Sequence, residues 1–129
     1  NELLDRSDIV SLHLPLTPET RGMVDGAALA RMKPGSILIN TARGEIVDET
    51  ALVSALQNGH LAAAGLDVFA TEPVPADNPL LALDNVIVSP HVSWYTADTM
   101  HRYLAEAVGN CERLAAGQQL ANVVNEVNL

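Results

Sequence analysis

Apolar positions along the chain form two patterns, short continuous runs and longer stretches with a helical period. Four runs bounded by turn-forming residues are typical of strands in a buried parallel sheet; they are 8–14, 37–40, 61–69 and 85–89. Stretches with helical spacing lie between these runs or after them, at 26–32, 49–58 and 96–116. This alternation predicts an α/β fold, with a mostly parallel doubly wound sheet, helices on both faces and a long C-terminal helix.

Polar residues and glycines mark where the predicted helices begin and end. Asp25 and Asp48 stand where N-caps are expected. Gly59 and Gly117 follow the last helical positions, as C-caps do. The tail, 120–129, alternates weakly, which predicts a strand or an extended arm.

Composition and charge narrow the range of functions. Sixteen acidic and seven basic side chains give a net charge of −9, so the chain has no basic patch for direct nucleic-acid binding. No apolar run reaches the roughly eighteen residues that a membrane span needs. The single cysteine, Cys111, has no partner for an internal disulfide and follows the apolar pattern of the long helix. We therefore expect a buried thiol in a reducing, cytoplasmic compartment.

Each predicted strand ends in, or is followed by, polar residues of kinds that carry chemistry. They are His13 and Thr17, Thr41 and Arg43, Asp67 and Glu72, and His91. The carboxyl ends of parallel strands share one edge of a sheet, so an arginine, two carboxylates and a histidine are expected in one crevice. Arginine holds carboxylates with paired hydrogen bonds, and a carboxylate beside an imidazole supports acid–base chemistry. The alternative for Arg43 is a solvated side chain in a turn.

Four motifs around these residues are similar to those of one enzyme family. They are His13-Leu-Pro-Leu-Thr17, Ile39-Asn-Thr-Ala-Arg-Gly44, Gly65-Leu-Asp-Val-Phe69 with Glu72-Pro73, and Ser89-Pro-His91 with Thr96. In this order they resemble the NAD-dependent D-2-hydroxyacid dehydrogenases, and the resemblance covers nearly the whole chain. It implies a Rossmann-like fold and hydride transfer between a nicotinamide cofactor and a small 2-oxo or 2-hydroxy acid, as in phosphoglycerate dehydrogenase-like enzymes. NAD is the implied cofactor, and NADP stays open.

The resemblance also implies roles for individual residues. Arg43 would bind the carboxylate and carbonyl of the substrate, and Glu72 would pair with His91, the proton donor on reduction. Asp67 would contact the nicotinamide carboxamide. The other implied cofactor-binding positions, alongside Arg43 and His91, are His13, Pro15, Thr41 and Ala42. No metal ligand set is expected.

Trp94 follows His91 in a His-x-x-Trp-Tyr segment that resembles the branch of the family that includes the C-terminal binding proteins. Two roles are open for it, a wall of the substrate pocket or packing beneath the long helix. The same resemblance supplies an alternative function, an NAD(H)-sensing binding protein of the corepressor type that acts by assembly. A truncated product without its own activity is a third possibility.

Two features of the family are absent from this chain. None of its eight glycines has another glycine two positions later, so the phosphate-binding Gly-x-Gly-x-x-Gly turn is missing, as is the smaller substrate-binding lobe. The resemblance assigns 1–118 to the second half of an incomplete NAD-binding domain that includes the exit helix, and 119–129 to a return segment. Because 1–5 begins within a helical pattern, we expect a fragment that binds NADH weakly alone and self-associates. We expect a homodimer for the complete protein.

Overall fold

The computed structural model describes residues 2–124, and the chain divides into two compact units, Asn1–Ser93 and Trp94–Leu129. The first unit alternates strands and helices: α1 (Glu2–Arg6), β1 (Ile9–Leu12), α2 (Gly26–Arg31), β2 (Ser36–Asn40), α3 (Glu49–Gln57), β3 (Leu61–Leu66) and β4 (Val86–Val88). Two short 3-10 turns, Gly44–Ile46 and Pro79–Ala82, interrupt its loops. The second unit contains α4 (Ala97–Ala115).

The four strands form one parallel sheet in the order β1-β2-β3-β4, which confirms the predicted fold class. Strands β1, β3 and β4 are shorter than predicted; the chain leaves the ladder after Leu12 and after Leu66 to form loops. Parallel pairing places the last residues of the strands abreast, namely Leu12, Asn40, Leu66 and Val88. All four loops that follow the strands therefore begin at one edge of the sheet.

The hydrophobic core of the first unit lies on one face of the sheet. Val10, Leu38 and Ala64 occupy neighbouring register positions on that face and are buried with side chains from α2 and α3. The opposite face carries Ile9, which is 58% exposed, and Ile87, which is 80% exposed. We predicted helices on both faces. In the described part of the first unit, α1, α2 and α3 all contribute to the single core.

The predicted caps shape the helices of the first unit. The Asp25 carboxylate accepts a hydrogen bond from the Ala28 amide at 2.8 Å, and the Asp48 carboxylate accepts one from the Ala51 amide at 3.1 Å. Gly59 ends α3 with φ of 76°, a left-handed conformation that glycine adopts without steric cost. These local signals were sufficient to place α2 and α3.

In the second unit α4 begins at the Thr96 cap, whose side chain accepts a hydrogen bond from the Thr99 amide at 3.1 Å. No residue of α4 is buried, and its Cys111 is exposed, so the prediction of a buried thiol was wrong. The helical period placed Cys111 on the apolar stripe, but that stripe is itself accessible here.

The tail differs from its prediction where the structure describes it. Residues 120–124 form no strand; the Ala121 backbone instead bonds the Asn110 side chain at 2.9 and 3.2 Å. A strand needs a neighbouring ladder, and here an α4 side chain occupies those backbone groups. The predicted residues 125–129 lie outside the described part. None of the described helices has the length and apolar character that crossing a membrane requires.

Candidate active site

The loops after β3 and β4 bring Glu72 and His91 into direct contact. His91 Nδ1 lies 2.8 Å from Glu72 Oε2, and the side chains are 38% and 37% exposed. A carboxylate only accepts hydrogen bonds, so Nδ1 carries the proton. The other carboxylate oxygen, Oε1, accepts from the Phe69 amide at 2.9 Å. The bond from His91, followed by the bond from Phe69, holds the pKa of Glu72 below its ordinary value.

His91 has an unusual backbone conformation, with φ of 54° in the left-handed region. For a residue with a Cβ this region costs about 1–2 kcal/mol, so the surrounding structure must hold it. The His91 amide donates to the Asp67 carbonyl at 2.8 Å, and the next two amides donate to the Asp67 carboxylate. Asp67 thus fixes the turn that presents the His91 imidazole.

The Asp67 carboxylate is buried, with 3% of the residue exposed. Oδ1 accepts from the Ser89 hydroxyl at 2.5 Å and the Val92 amide at 2.9 Å, and Oδ2 accepts from the Ser93 amide at 2.9 Å. Burial by itself raises the pKa of Asp67, but the hydrogen bonds from Ser89, Ser93 and Val92 outweigh it and lower the pKa to about 2. The predicted contact of Asp67 with a nicotinamide carboxamide stays a prediction.

The loop after β2 is shaped by Asn40, a buried polar side chain that is 1% exposed. Its Oδ1 accepts from the Ala42 amide at 3.0 Å, and its Nδ2 donates to the Arg43 carbonyl at 2.9 Å. Arg43 itself is exposed and donates from Nη1 to the Ala42 carbonyl at 2.6 Å. The guanidinium is therefore held near its own loop through Nη1.

Gly44 lets this loop approach the loop after β3. A Cβ built on Gly44 would lie 1.9 Å from the Phe69 carbonyl carbon and 2.3 Å from the Ala70 nitrogen, so only glycine fits. The close approach brings the Arg43 and Glu72 loops together. As a result, Arg43, Glu72 and His91 line one cavity of about 300 Å³.

Two further cavities flank this one. A cavity of about 500 Å³ beyond the carboxyl ends of β1 and β2 is lined by predicted cofactor residues, namely His13, Pro15, Thr41, Ala42 and Arg43. A larger one of about 620 Å³ is lined by Asp67, Glu72 and His91 together with apolar side chains such as Phe69 and Val74. The predicted site residues of the first unit therefore lie around adjoining cavities at one edge of the sheet.

The crevice fits one part of a dinucleotide. It lies beyond the carboxyl ends of the strands, where open α/β sheets bind such ligands, and Ala42 is small enough for close approach. No glycine-rich turn is available among the residues of this chain to hold a pyrophosphate. The residues present thus offer a crevice for part of a dinucleotide without a pyrophosphate-binding turn. Among the residues that the structure describes, no group of three His, Cys, Asp or Glu side chains could hold a metal ion.

Trp94 belongs to the second unit, where its ring centroid lies 5.5 Å from that of Tyr95 and 6.1 Å from that of Tyr103. Tyr103 is part of α4, so this contact agrees with packing against the long helix. A role of Trp94 in a substrate pocket stays a prediction.

Sequence reasoning assigned no separate role to three residues that organise the site. Asn40 and Gly44 lie within the Asn-Thr-Ala-Arg-Gly motif, and Ser89 opens the Ser-Pro-His motif. A signal was present for two of them, because a polar residue at the end of an apolar strand and a glycine after a loop arginine are both unusual choices. The partners of Gly44 and Ser89 are distant in sequence, so those contacts were not predictable, whereas Asn40 bonds backbone groups only two and three positions away.

Comparison with known proteins places the chain among related oxidoreductases. The family model described as "D-isomer specific 2-hydroxyacid dehydrogenase, NAD binding domain" matches residues 1–93. A hydroxypyruvate reductase from Blautia hydrogenotrophica is 47% identical over 126 residues, which are 98% of this chain and 39% of that protein. A D-3-phosphoglycerate dehydrogenase from Mycobacterium tuberculosis is 47% identical over 97% of this chain and 24% of its own length. The chain therefore spans well under half of these relatives.

Solved structures of D-2-hydroxyacid dehydrogenases superpose on nearly the whole of this chain. D-lactate dehydrogenase with NAD+ from Lactobacillus jensenii superposes with a TM-score of 0.90 at 38% identity, over 97% of this chain and 42% of that one. A D-isomer specific 2-hydroxyacid dehydrogenase from Xanthobacter autotrophicus, in complex with NADPH and MES, superposes with a TM-score of 0.83 at 44% identity. That superposition covers 96% of this chain and 50% of the other.

Proposed function

We propose, from the premise that this chain belongs to the D-isomer specific 2-hydroxyacid dehydrogenases, that the protein interconverts small 2-oxo acids and D-2-hydroxy acids. The observation that carries the proposal is the Glu72–His91 pair, which shares a cavity with Arg43. A carboxylate-binding group and an acid–base pair around one space of about 300 Å³ are what reduction of a 2-oxo acid requires.

Arg43 binds the substrate. Its guanidinium offers a planar set of donors that matches a carboxylate and reaches the adjacent carbonyl oxygen, where negative charge develops during reduction. The Asn40 hydrogen bonds to the Arg43 loop hold the backbone from which this side chain extends. Binding through the carboxylate restricts the substrates to acids.

His91 transfers the proton, and Glu72 orients the imidazole ring of His91. Because Glu72 engages Nδ1, we assign Nε2 as the nitrogen that donates a proton to the nascent alkoxide on reduction and accepts it on oxidation. The carboxylate stabilises the imidazolium and fixes the ring orientation. The cofactor would supply the hydride from its nicotinamide, and the residues assigned to bind the cofactor are His13, Pro15, Thr41, Ala42, Arg43, Asp67 and His91.

NAD is the proposed cofactor, with NADP also consistent with the relatives solved with NAD+ or NADPH. The corepressor alternative is not favoured, because the relatives quoted above are reductases and dehydrogenases. We further propose a cytoplasmic homodimer in which 1–118 forms the second half of the NAD-binding domain and 119–129 returns toward the substrate domain. The exposed apolar residues of α4 support association.

A turnover assay on the full polypeptide that carries this chain tests the proposal. The purified protein is given NADH and a panel that includes glyoxylate, hydroxypyruvate and pyruvate, and NADH oxidation is followed by absorbance. We expect oxidation with at least one of these acids and loss of activity in His91→Ala. The matched control is His101→Ala, an exposed histidine of α4. An inactive wild type that binds NADH would overturn the proposal and favour the sensing alternative.

A further inference from the structure

The loop that carries Glu72 is closed at both ends by one side chain, that of Glu49. Glu49 Oε1 accepts a hydrogen bond from the Ala70 amide at 2.6 Å, where the loop begins. Glu49 Oε2 accepts one from Asn78 Nδ2 at 3.1 Å, where the loop ends. The two oxygens of one carboxylate thus join segments that lie 21 and 29 positions further along the chain.

Both attachment points are firmly held. Glu49 is the first residue of α3, directly after the Asp48 cap, and is half-buried. On the other side, Asn78 Oδ1 accepts from the amide of Leu80 at 2.9 Å, and Leu80 is 1% exposed in the core. The Glu49 carboxylate therefore connects a packed helix with a packed 3-10 turn.

The hydrogen bonds that Glu49 accepts adjoin those that hold the catalytic pair. The Ala70 amide that Glu49 binds follows the Phe69 amide that binds Glu72 Oε1. The peptide between them also lies against Gly44, where no Cβ would fit. Because Phe69 and Ala70 are consecutive, displacement of Ala70 moves the donor that holds Glu72.

We propose that Glu49 is a positioning residue that sets the Glu72 loop at the distance from which Glu72 orients His91. This inference rests on the proposed function and deepens it. A carboxylate is required because both loop ends present donors, so both side-chain oxygens must accept. Glutamine accepts at one oxygen only, and its amide group would face one of the two donors.

The test compares Glu49→Gln with Glu2→Gln in the full polypeptide. Glu2 is a first-turn glutamate of α1 whose side chain is 81% exposed, so it is a matched change of charge at a helix start. Three quantities are measured: hydrogen exchange of the Ala70 amide, the pKa of Glu72 by NMR of its carboxyl carbon, and kcat with the NADH Kd. The charged groups around Glu72 are His91 and Asp67, together with Arg43 and Glu45 from the same cavity, and neither change alters them.

In Glu49→Gln we expect faster exchange at Ala70, a Glu72 pKa that rises toward its ordinary value, and a kcat that falls about tenfold. The NADH Kd should change less than kcat, because most residues assigned to the cofactor lie on the loops after β1 and β2. Asn78→Ala, which frees one loop end and keeps the charge of Glu49, should give a smaller change in the same direction.

An unchanged Glu72 pKa in both Glu49→Gln and Asn78→Ala would overturn the positioning role, as would an effect of equal size in Glu2→Gln. The NMR measurements do not depend on turnover. If the wild type reduces no 2-oxo acid, the proposed function fails by itself, and the amide exchange and the Glu72 pKa still decide whether Glu49 holds the loop.

Discussion

Hydrogen bonds to the buried carboxylate of Asp67 hold the turn that contains His91. The pKa of Asp67 lies at about 2, against an ordinary value of 3.8, so the folded state prefers the ionised form. A lowered pKa gives stability that is fully present above about pH 4 and is lost as the pH falls through about 2. At neutral pH the difference corresponds to about 2 kcal/mol of the free energy of unfolding.

We expect Asp67→Asn to reduce the free energy of unfolding by about 2 kcal/mol at neutral pH. An asparagine side chain keeps one acceptor oxygen, so its NH2 group would face either the Val92 or the Ser93 amide, and both amides need acceptors. Urea titrations at several pH values measure the loss, which should shrink as the pH approaches 2. Asp84→Asn, at an exposed aspartate, is the control and should change little. A loss that is independent of pH would contradict this account.

Glu72→Gln separates orientation from proton transfer. The imidazolium form of His91 loses a negatively charged partner, so the pH optimum of reduction should move downward while part of the activity remains. His91→Ala should abolish reduction at every pH. Rate profiles against pH for the two variants and the wild type provide the measurement. A profile that Glu72→Gln leaves unmoved would show that the observed pair has no part in the reaction.

At the scale of elements, two loops fit together because one residue lacks a side chain. The Gly44 backbone packs against the Phe69–Ala70 peptide, which is held by Glu72 on one side and Glu49 on the other. A methyl group there would meet backbone atoms, which cannot move aside as the end of a flexible side chain can. The Arg43 loop and the Glu72 loop would have to separate.

Gly44→Ala should therefore lower the free energy of unfolding by about 3 kcal/mol or more. The matched control is Gly109→Ala, within α4, where an added Cβ has nothing within 4 Å. Alanine in a helix interior is favoured over glycine by about 1 kcal/mol, so this control should be neutral or stabilising. Chemical denaturation of both variants measures the free energy of unfolding. Equal stabilities would mean that the loops separate without cost.

At the scale of the whole molecule, apolar surface stays accessible in both units. Ile87 on the second face of the sheet is 80% exposed, and Leu104 and Val108 on α4 are 60% and 55% exposed. Exposed apolar side chains within each unit favour contacts with other protein surfaces. We expect the 129-residue chain to self-associate in sedimentation velocity experiments.

Replacing Leu104 and Val108 together by glutamate should shift the sedimenting species toward monomer if α4 supplies the contact. The control replaces Glu112 and Arg113 together by alanine, which removes no apolar surface. A monomeric wild type over the accessible concentration range would refute the prediction.

The same chain should bind NADH no more tightly than about millimolar, which corresponds to about 4 kcal/mol. Its crevice offers part of a dinucleotide site, whereas none of its residues forms the glycine turn for the pyrophosphate. Titration calorimetry measures the affinity. Micromolar binding would mean that the loops at the strand ends suffice for the whole dinucleotide.

The sequence by itself determined the elements, their order and the family. Helical and strand periods, the Asp25 and Asp48 caps and the glycine at the end of α3 are local signals, and local signals act through hydrogen bonds between near neighbours. The four motifs likewise indicated which residues follow which strand, and parallel pairing at a common edge then brought Arg43, Glu72 and His91 around one cavity.

Only the tertiary structure decided which face of the sheet is covered, that Cys111 is exposed, and how the site is held. An apolar run predicts a buried strand, but burial depends on what the rest of the chain places against it. The contacts of Asp67 with the His91 turn, of Gly44 with Phe69 and of Glu49 with both ends of the Glu72 loop join residues 21 or more positions apart. Such contacts have no period or spacing in the sequence, because they arise only once the strands have aligned and the loops share one edge.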